Sequence, residues 1–377
     1  MVTVFYYTMS LYDIPFLGIA KQYHDLRGEI LDASDRAYRG GQVLDGPYTE
    51  MFERQIAQRC MRQYAVSVNS GTQALIFAQL ATSRNNGAEK IMIPGISFVA
   101  TLNSVLMAGN EPVYCDVDHN ALLDIESIDY ALSGNIDTIM YVNLFGNVLD
   151  YDRLLNVAKF FSEDVKIIED AAQSFGATYN GIPSGKLGDV SVLSFDPTKN
   201  LNNYGSGGMI LTDDYDVYQF CLNLRDNGKI TKHDFAGTNS KMSESDCAQM
   251  LVKLKYFETW QRRRQEIADF YTEHLTDWVD VMLPNQDVEH AWHKYVIRVG
   301  SRNQMQGYLA SKGIETKVHY EIPLFEHPAG WDYIDYARDL MRGSSAHAQE
   351  ALSLPIYPEM TDYEVEYVVD AIEAYLN

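Results

Sequence analysis

The sequence predicts an α/β fold: a mostly parallel central sheet covered by helices in a large domain, followed by a small C-terminal α+β domain. Three observations carry this expectation. Short apolar runs of strand length recur through the first half of the chain, at Tyr64–Val68, Lys90–Pro94, Glu111–Asp116, Asp137–Leu144, Val165–Ile168 and Val190–Phe195. Helix-like stretches separate several of them, at Phe98–Met107, Glu126–Leu132 and Tyr151–Phe161, and such alternation builds a parallel sheet with helices on its faces. A chain of 377 residues, 46% of them hydrophobic, is long enough for two packed cores.

Taken in order, Ile14–Ile30 begins with an extended Ile-Pro segment and passes into helical periodicity. A loop containing Gly40, Gly41, Gly46 and Pro47 precedes an amphipathic helix over Tyr48–Arg59. After the strand Tyr64–Val68, the turn Asn69-Ser70-Gly71-Thr72 opens the apolar helix GTQALIFAQLA. A glycine at such a turn lets backbone approach a phosphate, which the free amides of a helix start can bind and the Thr72 hydroxyl can supplement; an ordinary helix cap explains the same residues. Phe98 follows the turn PGIS just past a strand end, where ligand sites of parallel sheets collect, and can either stack on a flat ring or fill a core.

Gly207–Thr212 reads as a further strand and Tyr215–Arg225 as a helix, with a polar loop running on through Asn239. Ser243–Leu275 reads as one long helical stretch, and the passage between domains falls there: residues 1–250 form the large domain and residues 251–377 the small one. The small domain then holds a strand at His293–Val299, a helix after Ser301, the extended segment GIETKVHY, a loop rich in Pro, His and Gly, and two helices ending at Leu376.

The formal net charge of −22 repels nucleic acid and anionic lipid, so neither is an expected partner. A phosphate-bearing ligand must then be received by a local concentration of amides and basic side chains. No apolar run reaches transmembrane length, and the first residues lack the basic start and cleavage site of a signal peptide, which predicts a soluble cytoplasmic protein. Cys60, Cys115, Cys221 and Cys247 are scattered without a CxxC pair and read as buried thiols. His290 and His293 lack a third metal ligand and read as structural or substrate-facing, and no metal is expected. The glycines around Gly207 lack the lysine and spacing of a P-loop.

The chemistry concentrates between Val165 and Asp214. One apolar run delivers Asp170 and the other delivers Lys199, held between Pro197, Thr198 and Asn200 ahead of Gly205, Gly207 and Gly208. A lysine shielded from water loses its preference for the charged form, and its free amine becomes a nucleophile toward an aldehyde. Pyridoxal phosphate needs such a lysine and also an acid that keeps its ring nitrogen protonated, which Asp170 can supply; Gln173 can hydrogen-bond the ring hydroxyl. Taken alone, Asp170 reads more simply as a helix cap and Lys199 as a surface lysine, and their pairing in one stretch is what points to the cofactor.

At IPFLGIAKQY, VNSGTQAL, PGISFVAT, IEDAAQSFGA, SFDPTKNL with GSGGMILTDD, GTNSKMSES, GIETKVHYEIPLF and LSLPIYP the chain resembles the DegT/DnrJ/EryC1/StrS sugar aminotransferases, fold-type-I pyridoxal-phosphate enzymes. The resemblance implies that Lys199 is the Schiff-base lysine and Asp170 the partner of the ring nitrogen. It further implies that Gln173 bonds the ring oxygen, that Phe98 stacks on the ring, and that Gly71, Thr72 and Ser194 hold the phosphate. Asn239 matches the asparagine that reaches the phosphate of the neighbouring subunit, which implies a homodimer with shared active sites. Lys241 departs from the family's usual arginine and cannot make the same bidentate contact.

Dehydratase relatives replace the Schiff-base lysine with histidine, so an intact Lys199 implies transamination. L-Glutamate would be the donor and a nucleotide-linked keto-deoxysugar the acceptor, with pyridoxamine phosphate formed between the two halves of the reaction. The opening IPFLGIAKQY and the pair Asn239-Ser240 favour amination at C3, while Met242 favours C4. Another fold-type-I reaction, or a non-catalytic regulator that binds the cofactor or a sugar nucleotide, is the alternative.

Overall fold

The structure is a computed structural model, and it describes residues 12–83, 87–128, 136–229, 231–334 and 338–377. Its main sheet has seven strands: β1 (Tyr64–Val68), β2 (Lys90–Pro94), β3 (Glu111–Cys115), β4 (Thr138–Val142), β5 (Lys166–Asp170), β8 (Val190–Ser194) and β9 (Gly208–Thr212), in the order β1-β9-β8-β5-β4-β2-β3. A short sheet beside it combines β6 (Thr178–Tyr179), β7 (Ile182–Pro183) and β11 (Val288–Glu289). Only β9 runs against its neighbours in the main sheet, so the expected mostly parallel sheet is present. Two of the expected strands, Tyr64–Val68 and Lys90–Pro94, match end to end, and the others shift by one or two residues at their ends.

Val66, Val68, Ile91, Ile93, Ile168, Val190, Val192 and Ile210 bury one face of this sheet under the helices α3 (Gly71–Thr82), α4 (Ala100–Met107) and α6 (Tyr215–Arg225). The other face packs against α2 (Pro47–Arg59), α5 (Tyr151–Phe161) and α7 (Glu244–Leu254) through residues such as Leu193, Met209, Ile139 and Tyr141. Successive side chains of a strand point to opposite faces, which gives Glu169 and Asp170 different surroundings. Glu169, fully buried, accepts hydrogen bonds from Ser184, Ser191, Asn143 and the Gly185 and Leu187 amides and so ties down the loop before β8. Asp170 is left to the carboxyl edge of the sheet.

A second core surrounds the sheet of β10 (Asp280–Val281), β12 (Tyr295–Arg298) and β13 (Ala351–Leu354). Its helices are α8 (Phe257–Leu275), α9 (Arg302–Ser311) and α11 (Asp362–Leu376); α10 (Arg342–Glu350) leads into β13. Ile14 joins this core and pairs with Ile314, although it lies near the start of the chain. The single long helix expected over Ser243–Leu275 is two helices. The Lys255 and Tyr256 amides bond to Val252 and Lys253, three residues back, and close α7. The break follows from packing: Ala248 and Val252 of α7 face α1 (Ile19–Arg39), whereas Ile267, Ala268 and Tyr271 of α8 face the second core, and one straight helix cannot serve both.

The strand β13 was not anticipated. GIETKVHY is extended only as isolated bridges at Ile314 and Lys317. The helix expected at Glu126–Leu132 begins as a short turn at Ile125–Ser127; residues 129–132 of it lie outside the described residues. All four cysteines are buried and unpaired. Among the described residues, no helix is long and apolar enough to cross a membrane.

Candidate active site

The carboxyl ends of β1, β2, β5 and β8 and the amino end of the reversed β9 meet at one edge of the main sheet, the edge where open α/β sheets bind ligands. A cavity of about 410 Å³ opens there. It brings together Gly71, Thr72, Phe98, Asp170, Gln173, Ser194 and Lys199, seven of the eight residues singled out in the sequence. Asn239, the eighth, is exposed and does not line it.

The turn before α3 is built for close approach. Ser70 caps the helix by accepting from the Gln73 amide at 3.1 Å, while the Gly71 and Thr72 amides have no acceptor among the described residues. A Cβ on Gly71 would stand 2.9 Å from Ser194 Cβ, and one on Gly208 would stand 2.4 Å from the Ser70 carbonyl. Only glycines let the ends of β8 and β9 close against this turn, and the resulting cradle of free amides and hydroxyls is chemistry for an anion.

Asp170 is 4% exposed. Its Oδ1 accepts from the Ala172 amide at 3.1 Å and its Oδ2 from the Thr101 hydroxyl at 3.4 Å. Burial pushes the carboxyl up to about 6, with the Ala172 bond and the Lys199 charge pulling the other way. Lys199 sits on a turn closed by its amide bonding the Asp196 carbonyl at 2.9 Å. Its Nζ has no hydrogen-bond or ion-pair partner among the described residues, and burial lowers its pKa despite the opposing charges of Asp170 and Asp196. An amine whose charged form is disfavoured and a buried carboxyl that can share a proton with a ring nitrogen are what Schiff-base chemistry on a pyridine ring asks for.

Gln173 is already engaged: Oε1 accepts from the Phe145 amide at 3.1 Å, and Nε2 donates to the Tyr320 hydroxyl at 3.0 Å. One N–H of its amide stays free for a ring oxygen. Phe98 is 50% exposed on the cavity wall, its centroid 6.0 Å from that of Tyr320. His293 lines the cavity, with Nδ1 3.3 Å from Asn200 Oδ1, whereas His290 lies outside it and accepts from the Trp292 amide at 2.8 Å. Lys241 is held by Asp226 at 2.5 Å and Asp45 at 3.8 Å, point contacts that an ammonium makes as well as a guanidinium.

The sequence reading missed a wall of the site: Phe16, Thr101, Lys294, His319 and Tyr320 also line the cavity. Tyr320 and His319 belong to the motif GIETKVHYEIPLF, which was the available signal.

This fold and this arrangement define a fold-type-I pyridoxal-phosphate enzyme. The model of the DegT/DnrJ/EryC1/StrS aminotransferase family matches residues 24–373, and the chain belongs to that family. It is 34% identical over 366 residues to the dTDP-3-amino-3,6-dideoxy-alpha-D-galactopyranose transaminase of Aneurinibacillus thermoaerophilus, covering 96% of this chain and 99% of that one. It is 32% identical over 367 residues to a protein named pleiotropic regulatory protein in Geobacillus stearothermophilus, covering 96% and 98%. Among solved structures, Ntda from Bacillus subtilis with bound cofactor PMP superposes with a TM-score of 0.88 at 28% identity, covering 98% of this chain and 86% of that one.

The residues present fit the cofactor. The glycine cradle suits its phosphate, the buried Asp170 carboxyl suits a protonated ring nitrogen, the unpartnered Lys199 amine suits its aldehyde, and the half-exposed Phe98 suits its ring face.

Proposed function

We propose that the protein transfers the amino group of L-glutamate to the C3 keto carbon of a nucleotide-linked deoxysugar, giving an amino sugar. The observation that carries this reading is the single cavity shared by Lys199, Asp170 and the open start of α3. When bound, pyridoxal phosphate supplies an electrophilic carbon for amines and a ring that accepts the electrons of a broken C–H bond.

The chain's own residues do the rest. Lys199 would hold the cofactor's aldehyde carbon, and its Nζ, whose charged form burial disfavours, would take the proton from the donor's α-carbon; a positioned base of this kind is worth roughly a hundred- to ten-thousandfold. Asp170 holds the proton on the ring nitrogen. Gln173 positions Tyr320 and offers its free N–H to the ring oxygen, and Phe98 covers the ring. Gly71, Thr72 and Ser194 bind the phosphate. The same groups, used in reverse order, deliver the amine to the sugar ketone.

Further parts of the reading are a homodimer in which Asn239 serves the partner's phosphate, a cytoplasmic setting, and a division into residues 1–250 and 251–377. The name of the Aneurinibacillus relative, a 3-amino-sugar transaminase, supports C3. The regulatory name of the Geobacillus relative keeps a non-catalytic reading in view, against which stands the intact Lys199, Asp170 and Gln173 set. Incubating the holoenzyme with glutamate and a panel of 3-keto and 4-keto nucleotide sugars, with products read by mass spectrometry, tests it: a 3-amino sugar is expected, a 4-amino sugar corrects the position, and no turnover with any acceptor refutes the sugar reading.

A further inference from the structure

Lys294 is a strongly buried lysine of the cavity that none of these roles uses. It is 4% exposed and lines the same space as Lys199. Its amide bonds the Phe145 carbonyl at 3.0 Å, which fixes the backbone, and its Nζ lies 4.7 Å from the centroid of Phe16. Among the described residues no carboxylate stands within ion-pair distance of it. The acids that share the cavity are already occupied: Asp196 accepts from the Thr198 amide and hydroxyl, and Asp170 from Ala172 and Thr101. The exposed lysine there, Lys317, is paired with Glu315 at 2.6 Å.

Burial, with the charges of Lys199 and Arg264, holds the Lys294 pKa well below the ordinary lysine range against the longer-range pull of Asp196, so this amine lacks the anion that would keep it charged, and a ring face returns only part of that cost. Phe16 is itself held in place, its amide donating to Glu315 at 2.9 Å and its ring tilted against that of His319 with centroids 5.6 Å apart. Ser70, Gly71 and Thr72 enter the cavity from the turn before α3, and Lys294 from the position before β12. In a chain of net charge −22, a buried cation facing the reaction space is also what an anionic substrate needs.

We infer that the Lys294 ammonium, steadied by the Phe16 ring, receives a carboxylate of the substrate. Resting on the transaminase reading above, that group is one carboxylate of the dicarboxylic amino donor.

The test compares wild-type holoenzyme with Lys294→Met and Lys294→Arg. Glutarate, a dicarboxylate without an amine, is titrated calorimetrically; UDP-glucuronate and UDP-glucose form a second arm for a carboxylate carried by the sugar. Lys294→Met should weaken glutarate about ten- to hundredfold, the cost of losing a charged hydrogen bond. Its melting temperature should match or exceed that of wild type, because an apolar chain of similar size removes a buried amine that has no anion beside it. Lys294→Arg should recover part of the binding. Weakening confined to UDP-glucuronate assigns the carboxylate to the sugar. Unchanged binding of both acids, or a melting temperature that falls in Lys294→Met, marks the ammonium as structural and overturns the inference. Glutarate binding needs no sugar and no turnover, so a protein that binds it through Lys294 yet aminates no nucleotide sugar refutes the sugar reading alone.

Discussion

Gly71 and Ser194, 123 positions apart in the chain, approach so closely that a methyl group on the former would stand 2.9 Å from Cβ and 3.1 Å from Oγ of the latter. The contact fixes where the free amides of α3 point relative to the end of β8. Gly71→Ala must push Ser194 or the helix start aside, an overpacking cost of about 1–3 kcal/mol. The expected outcome is a folded protein whose affinity for pyridoxal phosphate falls at least about tenfold. Titrating apoenzyme with the cofactor and following visible absorbance checks it; unaltered affinity would separate the phosphate from this turn.

Lys199→Ala should remove the visible absorbance of the bound cofactor and the covalent adduct formed with borohydride, while leaving the fold intact by circular dichroism. Lys294 shares the cavity and is the alternative amine. Peptide mapping of the reduced wild-type enzyme distinguishes them: label on the peptide holding Lys294, or an adduct that persists in Lys199→Ala, rejects the assignment.

Much of this site was legible because its reactive half is local. Asp170, Gln173, Ser194 and Lys199 fall within thirty residues, and β5 and β8 are short apolar runs whose ends deliver them. Gly71 and Phe98 were legible for the same reason, each just past a strand. The other wall comes from Phe16, Lys294, His319 and Tyr320, brought in by packing of the second core and by the bond from Gln173 to Tyr320 across 147 positions. Periodicity carries no record of such contacts. It also missed the break at Lys255–Tyr256, since both helices keep a helical pattern and only the partner of the apolar face changes.

Asp170→Asn should act in opposite directions on catalysis and on stability. In the holoenzyme a neutral amide cannot hold the ring proton, and the loss should be on the order of a thousandfold in turnover with cofactor retained. In the apoprotein burial raises the carboxyl from 3.8 to about 6, so the folded state binds the proton more tightly than the unfolded chain. Ionising it costs folding stability, a cost that grows as pH rises from about 4 to 6 and is fully present above that, at about 3 kcal/mol. Apo Asp170→Asn should therefore be more stable than apo wild type at pH 8, with the difference closing below pH 4. Urea melts at the two pH values measure it; a variant less stable at pH 8 contradicts the burial argument.

Activity should require two chains. Asn239 is exposed, its backbone bridged to Asp226, and it stands outside the cavity of its own chain. Yet the next residue, Ser240, accepts a 2.7 Å bond from the Asn69 amide, two positions before Gly71, so the loop runs beside the phosphate turn of its own subunit too. Mixed dimers separate the possibilities. Chains carrying Lys199→Ala are combined with chains carrying Asn239→Trp, and the subunits are allowed to exchange. If Asn239 serves the partner's phosphate, each mixed dimer holds one site with both lesions and one with neither, and activity should return to about half of the wild-type value per mixed dimer. If Asn239 acts within its own chain, both sites of the mixed dimer stay damaged. Failure to regain activity, with mixed dimers demonstrated by native mass spectrometry, rejects the shared site and assigns Asn239 to the turn it borders.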